Sequence, residues 1–191
     1  MTKRVFIIHG WESSPSEGWF PWLKKELEKR DFQTKVPAMP ETDYPRIDIW
    51  VPFLAKLVKN PDKDTYFVGH SIGCQTIMRY LETINGKIGG AVFVGGWVSL
   101  TPMAIRSQED REIVKPWLEK PIDFEKVKKA TRNFVAIFSD NDPFVPLENS
   151  KTYKKKLGAK IIIQHNKGHF SGSDNIKKLP VVLRELIKMA K

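Results

Sequence analysis

The chain holds a single cysteine in 191 residues, Cys74, which rules out an internal disulfide and fits a reducing compartment. Histidine is also scarce, at four, and no grouping of Cys, His and carboxylates has the spacing of a metal site, so neither metal nor organic cofactor is expected. No apolar run reaches the length of a membrane span. The first one, Val5 to Ile8, is too short for the core of a secretory signal and leads directly into the fold. The expectation is a cytoplasmic chain without a membrane partner. Acidic residues are outnumbered, 22 to 32, giving a formal net charge of +10. That raises nucleic acid as a partner, but the lysines cluster where helices face water (Lys126, Lys128, Lys129; Lys151, Lys154, Lys155, Lys156), and the aromatic residues are not interleaved with them as stacking platforms. A solvated helix face is the better reading, and nucleic acid is not expected.

What is present is an alternation of short apolar runs with longer amphipathic ones. Strands are predicted at Arg4–His9, Gln33–Val36, Tyr66–Val68, Gly90–Val94, Asn133–Ser139 and Lys160–Gln164. Helices are predicted at Trp19–Arg30, Ile47–Lys59, Cys74–Thr83, Leu147–Leu157 and Ile176–Met189. Strands that are apolar on both faces, separated by helices, imply an α/β fold with a mostly parallel sheet of about six strands, covered on both sides. No repeat or linker marks a second unit, so one domain is expected over residues 1–191. Residues 97–130 break the rhythm and are expected to form one or two helices that partly cap the carboxyl edge of the sheet.

The most informative stretch is Gly69-His70-Ser71-Ile72-Gly73, set between an apolar run and an amphipathic one. A tight strand-to-helix turn lifts the serine hydroxyl above the sheet, with a helix amino terminus behind it. Small residues two positions to either side let neighbouring backbone pass. This is the nucleophile elbow of Gly-x-Ser-x-Gly sequences. Ser71 is therefore the candidate nucleophile, and the Ile72 N–H is an oxyanion donor.

A serine needs a base, and the base needs an orienting carboxylate. His9 and His70 sit where packing or hydrogen bonding is expected. His165 and His169 follow the last strand, and His169, between Gly168 and Gly172, is preferred with His165 as the alternative. In "FSDNDPFVPLE" the acid is Asp142, before Pro143, with Asp140 as the alternative. The order Ser71, Asp142, His169 is that of the Gly-x-Ser-x-Gly class. After the first strand, "IIHGW" offers the Trp11 N–H as a second oxyanion donor. Trp11, Trp97, Val98, Leu100 and Met103 are candidates for an apolar substrate pocket.

These residues resemble the α/β-hydrolases and, more closely, the small serine hydrolases grouped with retinoblastoma-binding protein 9. The likeness runs through "VFIIHGW", "GWFPWLKKEL", "VGHSIGCQTIMRYLE", "SDNDPFVP" and "KGHF". It implies a three-layer hydrolase core with a reduced cap, a Ser-Asp-His triad, and hydrolysis of small esters or amides. It does not carry over retinoblastoma binding, which is associated with Leu-x-Cys-x-Glu; the only cysteine here lies in Ile72-Gly73-Cys74-Gln75-Thr76. The expected activity is that of a carboxylesterase on a small-molecule ester with a short acyl chain. A peptidase or amidase, or a binding module that keeps the hydrolase shape, is the alternative. Natural substrate and oligomeric state are not legible.

Overall fold

The computed structural model describes residues 2–191. Six strands, β1 (Arg4–Ile8), β2 (Gln33–Lys35), β3 (Thr65–His70), β4 (Gly90–Val94), β5 (Phe134–Ser139) and β6 (Lys160–Gln164), form one sheet. Every pairing is parallel, and the spatial order is β2-β1-β3-β4-β5-β6. Side chains alternate across each strand, so the apolar runs divide cleanly between two cores. Phe6, Ile8, Phe67, Phe93, Ala136 and Phe138 face one layer of helices. Val5, Ile7, Val68, Val92, Val94 and Ile137 face the other. Burial on both faces explains why the strands lack polar alternation.

The first layer holds α2 (Ile47–Val58), α3 (Ile72–Leu81), α4 (Gln108–Glu119), α5 (Phe124–Ala130) and α6 (Asn149–Leu157). Trp50, Met78, Trp117, Val127 and Tyr153 are its buried contributions. The second layer holds α1 (Phe20–Glu28) and α7 (Pro180–Met189), anchored by Leu23, Leu27, Val182 and Leu186. Among the described residues no helix is long and apolar enough to cross a membrane.

Residues 97–130 supply a short 3-10 turn, Pro102–Ala104, and then α4 and α5. Ser107 and Asp110 close α4 with a reciprocal capping box, and Asp123 caps α5. The segment is tied down from below by a buried cation. Arg79, 2% exposed, donates to the carbonyls of Trp117 and Lys120 at 2.9 and 2.8 Å and to Gln75 Oε1 at 2.9 Å. Gln75 Nε2 in turn donates to the Trp97 carbonyl. The guanidinium therefore sits against the carbonyl end of α4, where a helix dipole favours positive charge.

The chain leaves β1 for β2 at the sheet edge, then crosses back to β3 on the other side of β1. The carboxyl ends of β1 and β3 therefore flank the topological switch point, where open α/β sheets bind ligands. Ser71 follows β3 there with φ 54° and ψ −124°, a strained conformation for a side-chain-bearing residue. The strain fits the packing around it. A Cβ on Gly73 would lie 2.4 Å from the Ile8 carbonyl oxygen, and one on Gly69 would lie 2.8 Å from Cys74 backbone atoms. Gly73→Ala must therefore push β1 off α3, and is expected to lower the melting temperature by more than about 10 °C or to prevent folding. Gly86→Ala is the control, because its nearest contact would be 3.4 Å. Equal thermal melts for the two variants would contradict this account of the turn.

Candidate active site

The turn after β5 and the loop after β6 are joined residue by residue. Ser139 Oγ accepts from the Lys167 N–H at 3.0 Å, and Asp140 Oδ1 from the Asn166 N–H at 2.9 Å. Asn141 Oδ1 accepts from the Gly168 N–H at 2.9 Å. Asp142 Oδ2 accepts from His169 Nδ1 at 2.8 Å, while its Oδ1 takes the N–H groups of Phe144 and Val145 at 2.9 and 3.0 Å. The Asp142 side chain is 2% exposed and that of His169 12%. With Nδ1 engaged, Nε2 is the imidazole nitrogen left for chemistry.

The alternatives pair with each other instead. His165 Nδ1 lies 2.5 Å from Asp140 Oδ2, and the His165 side chain is 80% exposed. Hydrogen bonds from the Asn166 backbone and from His165 hold the Asp140 carboxyl below the usual aspartate range. The pair fastens the outside of the loop and does not enter the cleft that holds Ser71.

Three further contacts fix the backbone beneath His169. His70 Nε2–H donates to the His169 carbonyl at 2.7 Å, and Trp19 Nε1–H donates to the Phe170 carbonyl at 3.0 Å. Phe144 meets the His169 ring edge-on at 5.4 Å between centroids. His70 thus hydrogen-bonds from inside the elbow, as expected, and its target is the loop of the candidate base. Its Nδ1 is buried without a partner, and burial, with the nearby His169, pushes its pKa down to about 3. His9 is buried as well. Its Nδ1–H donates to the Gly10 carbonyl, its Nε2 accepts from the Met39 N–H, and burial lowers its pKa. Burial likewise pushes the Cys74 thiol up, so this cysteine is a packing residue.

Ser71 and His169 line one cleft under residues 97–130. No hydrogen bond joins their side chains, and contacts of this kind often tighten only when substrate binds. The N–H groups of Trp11 and Ile72 have no acceptor among the described residues, and both residues border the cleft. Of the residues expected in the apolar pocket, Trp11, Trp97 and Leu100 line it. Val98 and Met103 do not. The Val98 N–H is drawn to Asn149 Oδ1 at 2.7 Å, which places Val98 over a separate depression. Met103, on the 3-10 turn, is 63% exposed. Ala104, Val114 and Phe144 complete the lining, with Glu12 and Arg106 at the mouth. Val114 is placed by where the capped helix α4 lands, and Glu12 and Phe144 by the connections after β1 and β5.

Both buried histidines are neutral in the fold and take up a proton when the chain unfolds below their ordinary value of about 6.5. Their contribution to stability is therefore complete above that pH and is lost as pH falls toward about 3 for His70. Thermal melts from pH 7 to 4.5, above the range of most carboxylates, should show a steady loss for the wild type. The loss should be shallower in His70→Gln, which keeps a donor for the His169 carbonyl. A pH-independent wild-type melt would contradict the assignment.

Residues 5–188 match the Serine hydrolase family. YdeN of Bacillus subtilis (strain 168) is 30% identical over 184 residues, covering 95% of this chain and 93% of that one. The serine hydrolase RBBP9 of Rattus norvegicus is 27% identical over 183 residues, covering 95% and 94%. The crystal structure of the B. subtilis ydeN gene product superposes with a TM-score of 0.89 over 98% of both chains. A carboxylesterase structure from the thaumarchaeon Nitrososphaera gargenis, at 13% identity and a TM-score of 0.74 over 99% and 91%, shares the fold. With this match over nearly its whole length, the chain belongs to the serine hydrolase family and has the α/β-hydrolase fold.

Proposed function

We propose that the protein is a carboxylesterase for short-chain acyl esters, using Ser71 as nucleophile, His169 as general base and Asp142 as the orienting carboxylate. The observation that carries this reading is the 2.8 Å Asp142–His169 pair beside a strained serine at the switch point of the sheet. The Ser71 oxygen attacks the ester carbonyl while His169 Nε2 takes its proton. The oxyanion is met by the N–H groups of Trp11 and Ile72. Asp142, itself fixed by two backbone N–H groups, holds the imidazole and offsets its positive charge. His169 then delivers the proton to the leaving alkoxide, and water cleaves the acyl-enzyme by the same route.

The size of the cleft supports a short acyl group. The side lined by Ile72, Trp97, Leu100 and Val114, together with Ser71 and His169, holds about 150 Å³, the size of a cavity that holds benzene, so acyl groups of about six heavy atoms or fewer should fit. The name of the N. gargenis carboxylesterase is consistent with ester chemistry on this fold.

Hydrolysis of p-nitrophenyl acetate should fall about 10⁴-fold or more in Ser71→Ala, and by a similar order in Asp142→Asn, with the fold retained. Acetate and butyrate esters should exceed the decanoate at least about tenfold in kcat/KM, since a C10 chain overfills the cavity. Full activity of Ser71→Ala would overturn the proposal. Rates that rise with chain length would overturn the acyl assignment.

A further inference from the structure

The cleft around Ser71 has two sides of different chemistry. Both share Trp11, Ser71, Phe144 and His169, with Glu12 and Arg106 at the mouth. The residues that belong only to the first side, among them Ile72, Trp97, Leu100 and Val114, are all apolar. The second side, about 260 Å³, runs between the β1–α1 connection and the loop after β6. Its aromatic members Trp19, Phe20 and Phe170 are 0%, 3% and 0% exposed and form a floor beneath it. The side chains left to wall it are Ser13, Glu17, Ser171, Ser173 and, deeper, the 5%-exposed His70.

Glu17 gives this side its character. It is half-buried and accepts one hydrogen bond, from Ser13 Oγ at 2.8 Å. No lysine or arginine pairs with it among the described residues, so a partly desolvated carboxylate keeps free acceptor positions. The nearest cation of the cleft is already occupied, since Arg106 pairs with Asp110 at 3.2 Å and Glu12 at 3.5 Å. The side therefore calls for hydrogen-bond donors and disfavours anions.

The reaction geometry says which half of an ester goes there. His169 must hand its proton to the leaving oxygen, and only the second side is walled by the residues that follow His169 in its own loop, Phe170 to Ser173. Only the first side includes Ile72, an oxyanion donor in the mechanism above. We propose that the second side is a leaving-group subsite that selects hydroxyl-bearing alcohols, of which glycerol is the simplest triol, with Glu17 accepting from their free hydroxyls. This rests on Ser71 being the nucleophile. In acylation the Ser71 Oγ–acyl carbon bond forms and the acyl–O(polyol) bond breaks. The serine proton passes through His169 to the polyol oxygen, and the free polyol departs before water enters.

The test compares glycerol 1-monoacetate with butyl acetate, which share one acyl group. Values of kcat/KM, each divided by the ester's rate of alkaline hydrolysis, report acylation alone. The glycerol ester should be preferred about tenfold, as expected for one or two partly exposed hydrogen bonds. Glu17→Ala should bring the ratio to within about twofold of one, and Glu17→Gln, which keeps an acceptor oxygen, should restore part of it. A wild-type ratio near one or below, or a ratio unmoved in Glu17→Ala, would overturn the subsite. p-Nitrophenyl acetate separates the two levels of inference. Its Ser71-dependent turnover alongside a ratio of one sinks only the subsite, whereas no turnover of any ester sinks the esterase reading with it.

Discussion

Everything at the head of the sheet depends on the joining of two connections that are distant in sequence, the turn after β5 and the loop after β6. Four successive residues, Ser139 to Asp142, each receive at least one hydrogen bond from the segment His165–His169. The Asp142–His169 contact is far less exposed than the Asp140–His165 one, and its carboxylate is also fixed by two backbone N–H groups. Such a carboxylate cannot swing away without leaving several polar groups unpaired in a dry setting. The outermost contact, between Asp140 and His165, is open to solvent, where an ion pair adds little stability. The two Asp–His pairs therefore differ in what they can do, although their residue types are the same.

The elbow and this loop are themselves coupled. His70, inside the Gly69–Gly73 turn, donates to the His169 carbonyl, and Trp19 donates to the next carbonyl along. The residue before the candidate nucleophile thus holds the backbone of the candidate base, with the two rings 5.0 Å apart. Because these donors are buried and neutral, the contacts do not depend on salt. Burial costs the fold acid stability, since both buried histidines resist protonation. On the far side of the cleft, Arg79 and Gln75 tie residues 97–130 to α3, the helix that starts at the elbow. One helix therefore carries the strained serine at its start and braces the cover of the cleft from its middle.

Much of this was legible in the sequence, for identifiable reasons. Strands buried on both faces leave unbroken apolar runs, so the order of elements and the parallel sheet could be read directly. The spacing Gly69-x-Ser71-x-Gly73 reports a backbone crossing that leaves no room for a Cβ. Boundaries moved where tertiary contacts overrode the apolar pattern. β3 extends past Val68 because Gly69 and His70 keep pairing with Phe93 and Val94. α7 starts at Pro180 instead of Ile176, because Asn175 has φ 59° and the proline opens the helix. Val98 and Met103 were misplaced for a related reason: an apolar residue in an irregular segment does not declare which cavity it faces. Glu12, Glu17, Val114 and Phe144 belong to the cleft only through where their loops and helix land, which no local spacing encodes.

The central claim is that Ser71 is a nucleophile activated by the Asp142–His169 pair, and intact-mass spectrometry with a fluorophosphonate tests it most directly. The account predicts one adduct per chain, mapped to the peptide containing Ser71, and formed far more slowly in His169→Gln. No adduct on a folded chain, or an adduct at another residue, would contradict it.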